Sequence, residues 1–162
     1  MIDLHEVSLI DAPVDRCFHL TCSVEVRLLD NVHCGEPAIA LAGQTTGLVG
    51  MGQQVTWRAR HLALQQTFTT RVTRFDPPVF LQDTVLHGAF RSMQHDYHFR
   101  ELTGDRTEVT DVLRISAQLP VLGRIAELLI LRRYMRMLLL ERSAVVKQVA
   151  ESAEWKRYLP HI

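Results

Sequence analysis

His61, Asp83, His95 and Asp111 are the residues whose types could carry acid–base chemistry if the fold brings them together. A carboxylate held against an imidazole orients the ring and raises its basicity, which a general acid or base near neutral pH needs. Read as strands, 92–102 places Met93, His95, Tyr97 and Phe99 on one face, and 106–118 does the same for Val109, Asp111, Leu113 and Ile115. A reversal centred near Ala89 sets Asp83 opposite His95. A last hairpin turning at Gly104 to Arg106 sets Phe99 opposite Asp111, Tyr97 opposite Leu113 and His95 opposite Ile115. The same alternation puts Val55, Trp57 and His61 on the inner face. The competing reading is a buried histidine satisfied within a hydrogen-bond network. It is the commoner outcome, because buried polar groups need partners in any protein.

Other constellations carry less. His95 and His98 have the spacing of a metal pair, yet residues three apart on a strand point to opposite faces and cannot chelate together, so no metal is expected. Gly47, Gly50 and Gly52 are not followed by Gly-Lys-Ser/Thr and lead into a strand, which excludes a phosphate loop and leaves a flexible lid as the better reading. No cofactor is called for. Cys17 reads as a small apolar residue, and no serine or cysteine is placed as a nucleophile. Arg142 interrupts the apolar helical stripe Leu128, Leu131, Met135, Leu138, Leu139, Val145, Val146, Val149. An unpaired charge there is costly, so it must find a carboxylate, escape along its stem or bind an anionic ligand group. Counting rise along a helix folded back over the last strand puts Arg142 level with Thr107 to Val109, which favours Asp11 or Asp15 as its partner. Asp111 comes level with about Arg136. Tyr134 and Arg132, Arg133 and Arg136 read as a solvated face.

These side chains have to be positioned by an antiparallel sheet and one long helix. Leu4 to Asp11 reads as a strand. Ala12-Pro13 starts a short helix, and a second covers Val24 to Leu29. Strands follow at 38–42, 54–62, 65–75, 79–87, 92–102 and 106–118, divided by Asp76-Pro77-Pro78, Gly88 and Thr103-Gly104-Asp105. A terminal helix runs from Val121 to Ala150. Such a sheet must either grip that helix or enclose a space beside it, and an apolar face carrying a few polar groups is how a small-molecule pocket is lined.

Composition narrows the partners. A chain of 162 residues, 47% of them hydrophobic, is enough for one domain, 1–162, with a substantial core. Lys plus Arg and Asp plus Glu number 18 each, so no net field attracts nucleic acid. Arg124, Glu127, Arg132, Arg133 and Arg136 break the stretch 121–140 and exclude an ordinary membrane span. A helix lying in a membrane interface shares this pattern, but a packed amphipathic helix is commoner. Three cysteines without CxxC spacing and a start that lacks the form of a signal peptide fit a reducing cytoplasm.

The opening Ile10-Asp11-Ala12-Pro13-Val14-Asp15-Arg16-Cys17-Phe18 resembles the START-like, Bet v 1-like proteins, also called the SRPBCC or polyketide cyclase/dehydrase superfamily. Further points of likeness are Val55-Thr56-Trp57-Arg58-Ala59-Arg60-His61, Gly88-Ala89-Phe90 followed by His95 and Phe99, and Thr107 and Asp111 ahead of Leu119-Pro120. Their order along nearly the whole chain is similar to that of the bacterial ligand-binding branch. Tyr97 stands where relatives often have a second histidine and Met93 where they often have tryptophan, so no paired-histidine site is carried over. The resemblance implies an α+β helix-grip fold: a curved seven-stranded antiparallel sheet around the last helix, with two short helices between the first and second strands. It also implies binding of lipids, sterols, quinones or polyketides, with a minority of members catalysing cyclisation or dehydration.

Together these readings predict a hydrophobic or aromatic small molecule held between sheet and helix. Trp57, Phe68, Tyr97, Phe99, Met135 and Leu139 would supply the apolar walls, and His61, His95 or Asp111 the orientation. The alternative is a cyclase or dehydratase using the same space, with His95 exchanging a proton and Asp83 or Asp111 orienting it. A second alternative is a regulatory module that presents the long helix to a protein partner.

Overall fold

The computed structural model describes residues 1–29, 38–61, 64–88, 90–117 and 124–159, the side chains of 61, 64, 117 and 124–127 excepted. Apolar alternation and turn chemistry resolve it into β1 (Ile2–Ile10), α1 (Val14–Cys22), α2 (Val24–Leu28), β2 (Ile39–Gly43), β3 (Gln54–His61), β4 (Leu64–Asp76), β5 (Phe80–His87), β6 (Phe90–Leu102), β7 (Arg106–Ala117), α3 (Arg124–Glu151) and α4 (Trp155–Tyr158). One seven-stranded sheet has the order β1-β7-β6-β5-β4-β3-β2. Every neighbouring pair in it is antiparallel. This is the expected helix-grip arrangement. The one described element that was not foreseen is the short α4, which leads Leu159 back into the core.

Local chemistry explains the joints. Proline just before Val14 has φ −59°, preset for a helix start. Ser23 then separates the two short helices, because its side chain accepts the Val26 N–H at 3.3 Å and caps α2. The buried Thr107 hydroxyl donates to the Ala12 carbonyl at 2.8 Å, fastening the turn before α1 to β7. The glycine-rich segment expected to be a flexible lid is pinned instead. Val24 N–H reaches the Gly47 carbonyl, Val49 N–H the Cys22 carbonyl and Gly52 N–H the Val72 carbonyl.

The register of the β6–β7 hairpin departs from expectation by two residues. Phe99 pairs with Val109, Tyr97 with Asp111, His95 with Leu113 and Met93 with Ile115. The cause lies in the turn: Leu102 pairs with Arg106, and Gly104 (φ 76°) and Asp105 (φ 53°) reverse the chain one position earlier than the expected turn at Gly104 to Arg106. A shift of two preserves the faces and changes who stands opposite whom.

The core forms two clusters. The larger joins α1 and α2 to Val55, Trp57, Val72, Leu81, Tyr97, Phe99 and the carboxy-terminal part of α3 at Val146, Val149 and Ala150. The smaller joins Ile2, Leu4, Leu113 and Ile115 to Leu131, Met135 and Leu139. The α3 stripe therefore packs as its periodicity predicts, with its two halves serving different clusters.

Gly43 allows β2 to close onto β3. Its φ is +80°, and a Cβ there would stand 2.1 Å from the Gln54 carbonyl oxygen. Gly104, at φ +76°, has nothing within 4 Å of the corresponding position. Gly43→Ala should therefore cost roughly 2–3 kcal/mol and Gly104→Ala about 1 kcal/mol, since only the first adds a clash to backbone strain. Denaturant unfolding of both variants checks this, and equal losses would refute the clash at Gly43.

Candidate functional site

Strand alternation lays two polar rows across the inner face. In one, Glu6, Asp111, Tyr97, Leu81 and Phe75 follow one another from β1 to β4. In the next stand Leu4, Leu113, His95, Asp83 and Val72. His95 and Asp111 are thus diagonal neighbours, and His95 Nε2 lies 2.9 Å from Asp111 Oδ1. From the helix side, Ser143 Oγ donates to Asp111 Oδ2 at 3.1 Å. Both members of the pair are buried, His95 at 6% and Asp111 at 4% exposure.

Burial dominates the electrostatics of the imidazole. It pushes His95 below the ordinary histidine value, against the hydrogen bond and charge of Asp111, which pull upward; the charge of Arg142 adds to the depression. A neutral ring that donates from Nε2 to Asp111 has Nδ1 as an acceptor. The Tyr97 ring stacks on His95 with centroids 3.8 Å apart. Burial raises the Tyr97 phenol, keeping it protonated. Its hydroxyl is buried without a hydrogen-bond partner among the described residues.

Asp83 does stand opposite His95, but it does not orient the ring. Its Oδ2 takes Arg27 Nη1 at 2.8 Å, in a pair whose side chains are 5% and 8% exposed. Arg27 Nε also donates to the Thr21 carbonyl at 2.9 Å. Arg27 went unnoticed in the sequence, where the available signal was a charge inside the apolar run Val24 to Leu29. Beside this pair, burial pushes the Cys22 thiol up to about 12, so it is no nucleophile at neutral pH.

The other expected site residues divide between the clusters. Trp57 is buried and donates its indole N–H to Thr70 Oγ1 at 2.9 Å. Trp57, Tyr97 and Phe99, with half-buried Phe68 against them, belong to the larger cluster, whereas Met135 and Leu139 belong to the smaller. The His61 side chain lies outside the described residues, as does Cys34. Cys17 is buried as a small apolar residue.

Asp11 and Asp15, expected as partners for Arg142, are both exposed. The Arg142 guanidinium lies 5.2 Å from the Tyr97 ring centroid. The level assigned to it changes because Arg136 binds Glu6 while Ser143 reaches Asp111, and Glu6 and Asp111 share a row. The helix therefore crosses the strands obliquely instead of running along β7. Arg132, Arg133 and Arg136 are exposed as expected, and Tyr134 is half-buried against the smaller cluster. His95 is buried and His98 exposed, on opposite faces. Among the described residues no group of three or more His, Cys, Asp or Glu side chains is placed to hold a metal ion, and no helix is long and apolar enough to cross a membrane.

Residues 14–138 match the family described as polyketide cyclase / dehydrase and lipid transport. No curated protein matches by sequence. Among solved structures, the chain is similar to the Zhui aromatase/cyclase from Streptomyces sp. R1128, at 16% identity and TM-score 0.66 over 92% of this chain and 93% of that one. It is also similar to ginseng major latex-like protein 151 from Panax ginseng, at 12% identity and TM-score 0.64 over 93% and 97%. A START superfamily protein from Mycobacterium smegmatis aligns at 12% identity and TM-score 0.62 over 92% and 97%. At these identities the likeness is one of fold.

The depressed His95 has a measurable consequence. As pH falls below about 6.5, the ordinary histidine value, the unfolded chain takes up the proton before the folded one does. The stability held above that pH should therefore decline as pH drops toward the folded value, and His95→Gln should flatten the decline. Denaturant unfolding across pH tests this, with equal slopes in the two proteins refuting it. By NMR, Asp111→Asn should move the imidazole titration lower still, because it removes a charge that favours the imidazolium.

Proposed function

The chain belongs to the polyketide cyclase/dehydrase and lipid-transport family, and from that premise we propose that it binds a hydrophobic or aromatic small molecule between the sheet and α3. The observation that carries this reading is the polar seam between two apolar clusters. His95, Asp111, Tyr97 and Arg142 meet where the larger cluster gives way to the smaller. An apolar ligand set against Trp57, Phe68, Phe99, Met135 and Leu139 would gain from burial, and the seam would fix its orientation. Native mass spectrometry of protein purified from its own source, with extraction of any retained apolar compound, tests this directly.

A second reading, a cyclase or dehydratase, is favoured by the His95–Asp111 pair. Neutral His95 would take a proton from carbon next to a carbonyl through Nδ1. The hydroxyl on the adjacent carbon would then leave, taking up a proton to depart as water, and a double bond would form. The fold shared with an aromatase/cyclase is compatible with this, but fold does not determine chemistry.

Two variants separate the readings. Trp57→Ala should weaken binding of an apolar fluorescent probe by about tenfold, with circular dichroism confirming the fold; unchanged affinity in a folded protein would place the ligand elsewhere. If the protein is a dehydratase, His95→Ala should slow conversion of a β-hydroxy ketone by about a hundredfold or more while the probe still binds. A carrier returns the ketone unchanged.

A further inference from the structure

The buried polar atoms with no hydrogen-bond partner among the described residues include Arg27 Nη2, Asp83 Oδ1 and the Tyr97 hydroxyl. The Arg27–Asp83 pair is made through one nitrogen and one oxygen only, Nη1 to Oδ2, which leaves a donor on one side and an acceptor on the other. Tyr97 is the diagonal neighbour of Asp83, since Leu81, opposite Tyr97, lies two positions from Asp83 on β5. Leaving three such groups unmatched is costly, and a protein normally satisfies them with water or with a ligand.

We infer that Arg27, Asp83 and Tyr97 form the polar end of the ligand site and take an uncharged head group that presents a carbonyl oxygen and a hydroxyl. This rests on the proposed binding function. Arg27 Nη2 donates to the carbonyl, Asp83 Oδ1 accepts from the hydroxyl, and the Tyr97 hydroxyl serves either. Arg27 and Asp83 already pair with each other, and Asp111 bonds to His95. His95 and Tyr97 are held neutral. A carboxylate head would set a further buried anion beside Asp83, whereas a hydroxy ketone adds no charge.

Three bicyclic probes of similar size test this: tetralin, a hydroxytetralone whose two oxygens do not bond each other, and a tetralin carboxylate. The wild-type protein should bind the hydroxytetralone about tenfold more tightly than tetralin, and the carboxylate less tightly than the hydroxytetralone. Asp83→Asn should abolish the preference for the hydroxytetralone with tetralin affinity unchanged, and should strengthen carboxylate binding, because it removes an anion beside the head group. Tyr97→Phe removes only the hydroxyl and should cost part of the preference even if changes at Asp83 unfold the protein. Equal binding of hydroxytetralone and tetralin by the wild type would mean that water satisfies the three atoms and would overturn the inference while leaving the binding function standing. A preference that survives both variants would also overturn it. Failure of all three probes to bind would remove the binding function and the inference with it.

Discussion

A carboxylate buried where sheet meets helix governs the interior. Asp111 would be expensive at 4% exposure unless both oxygens were engaged, and they are, by His95 of β6 and Ser143 of α3. Three elements are thereby held to a common point, and the oblique crossing of α3 over the strands follows from meeting it. The same requirement orients the imidazole, stacks Tyr97 on it and brings Arg142 over the phenol ring. On the opposite face the pattern repeats in wetter surroundings, where Asp96 is held by Gln82, Gln94 and Arg114 and its carboxyl is kept below the usual range despite burial.

A polar seam explains why the apolar core is divided. Hydrophobic side chains cannot fill the two rows that hold Asp111, Tyr97, His95 and Asp83 without displacing these polar groups. The walls expected to surround one ligand therefore come from two sources. The aromatic wall of Trp57, Phe68 and Phe99 belongs with α1 and α2, and the aliphatic wall of Met135 and Leu139 belongs with β1 and β7.

Much of this was legible in the residues. Alternation of period two identified the inner faces of β6 and β7 and that of β3 at Val55 and Trp57, and turn residues marked the reversals to within a position, because both depend on neighbours in the chain. The helical stripe from Leu131 to Val149 was legible for the same reason. Pairings between distant residues were not. Moving the β6–β7 turn by one position brings Asp111 two positions closer to the residue opposite His95, which turns two remote groups into a bonded pair. Arg27 could be suspected as a charge in an apolar run, yet its partner Asp83 lies on β5, beyond three intervening strands, and nothing local points to it. The level expected for Arg142 rested on counting rise, which assumes a helix parallel to the strand beneath it.

The divided core also bears on how the molecule opens. Residues of α3 before the seam pack in the smaller cluster, with Leu131, Met135 and Leu139 against β1 and β7, while Val146, Val149 and Ala150 are anchored in the larger one. Cooperative units in proteins follow such boundaries, and the unit with less buried apolar surface separates at lower free energy. Amide hydrogen exchange should then be faster in the leading half of α3 than in the trailing half, and a guest could reach the interior while the trailing half, bonded to the sheet through Ser143, remains in place.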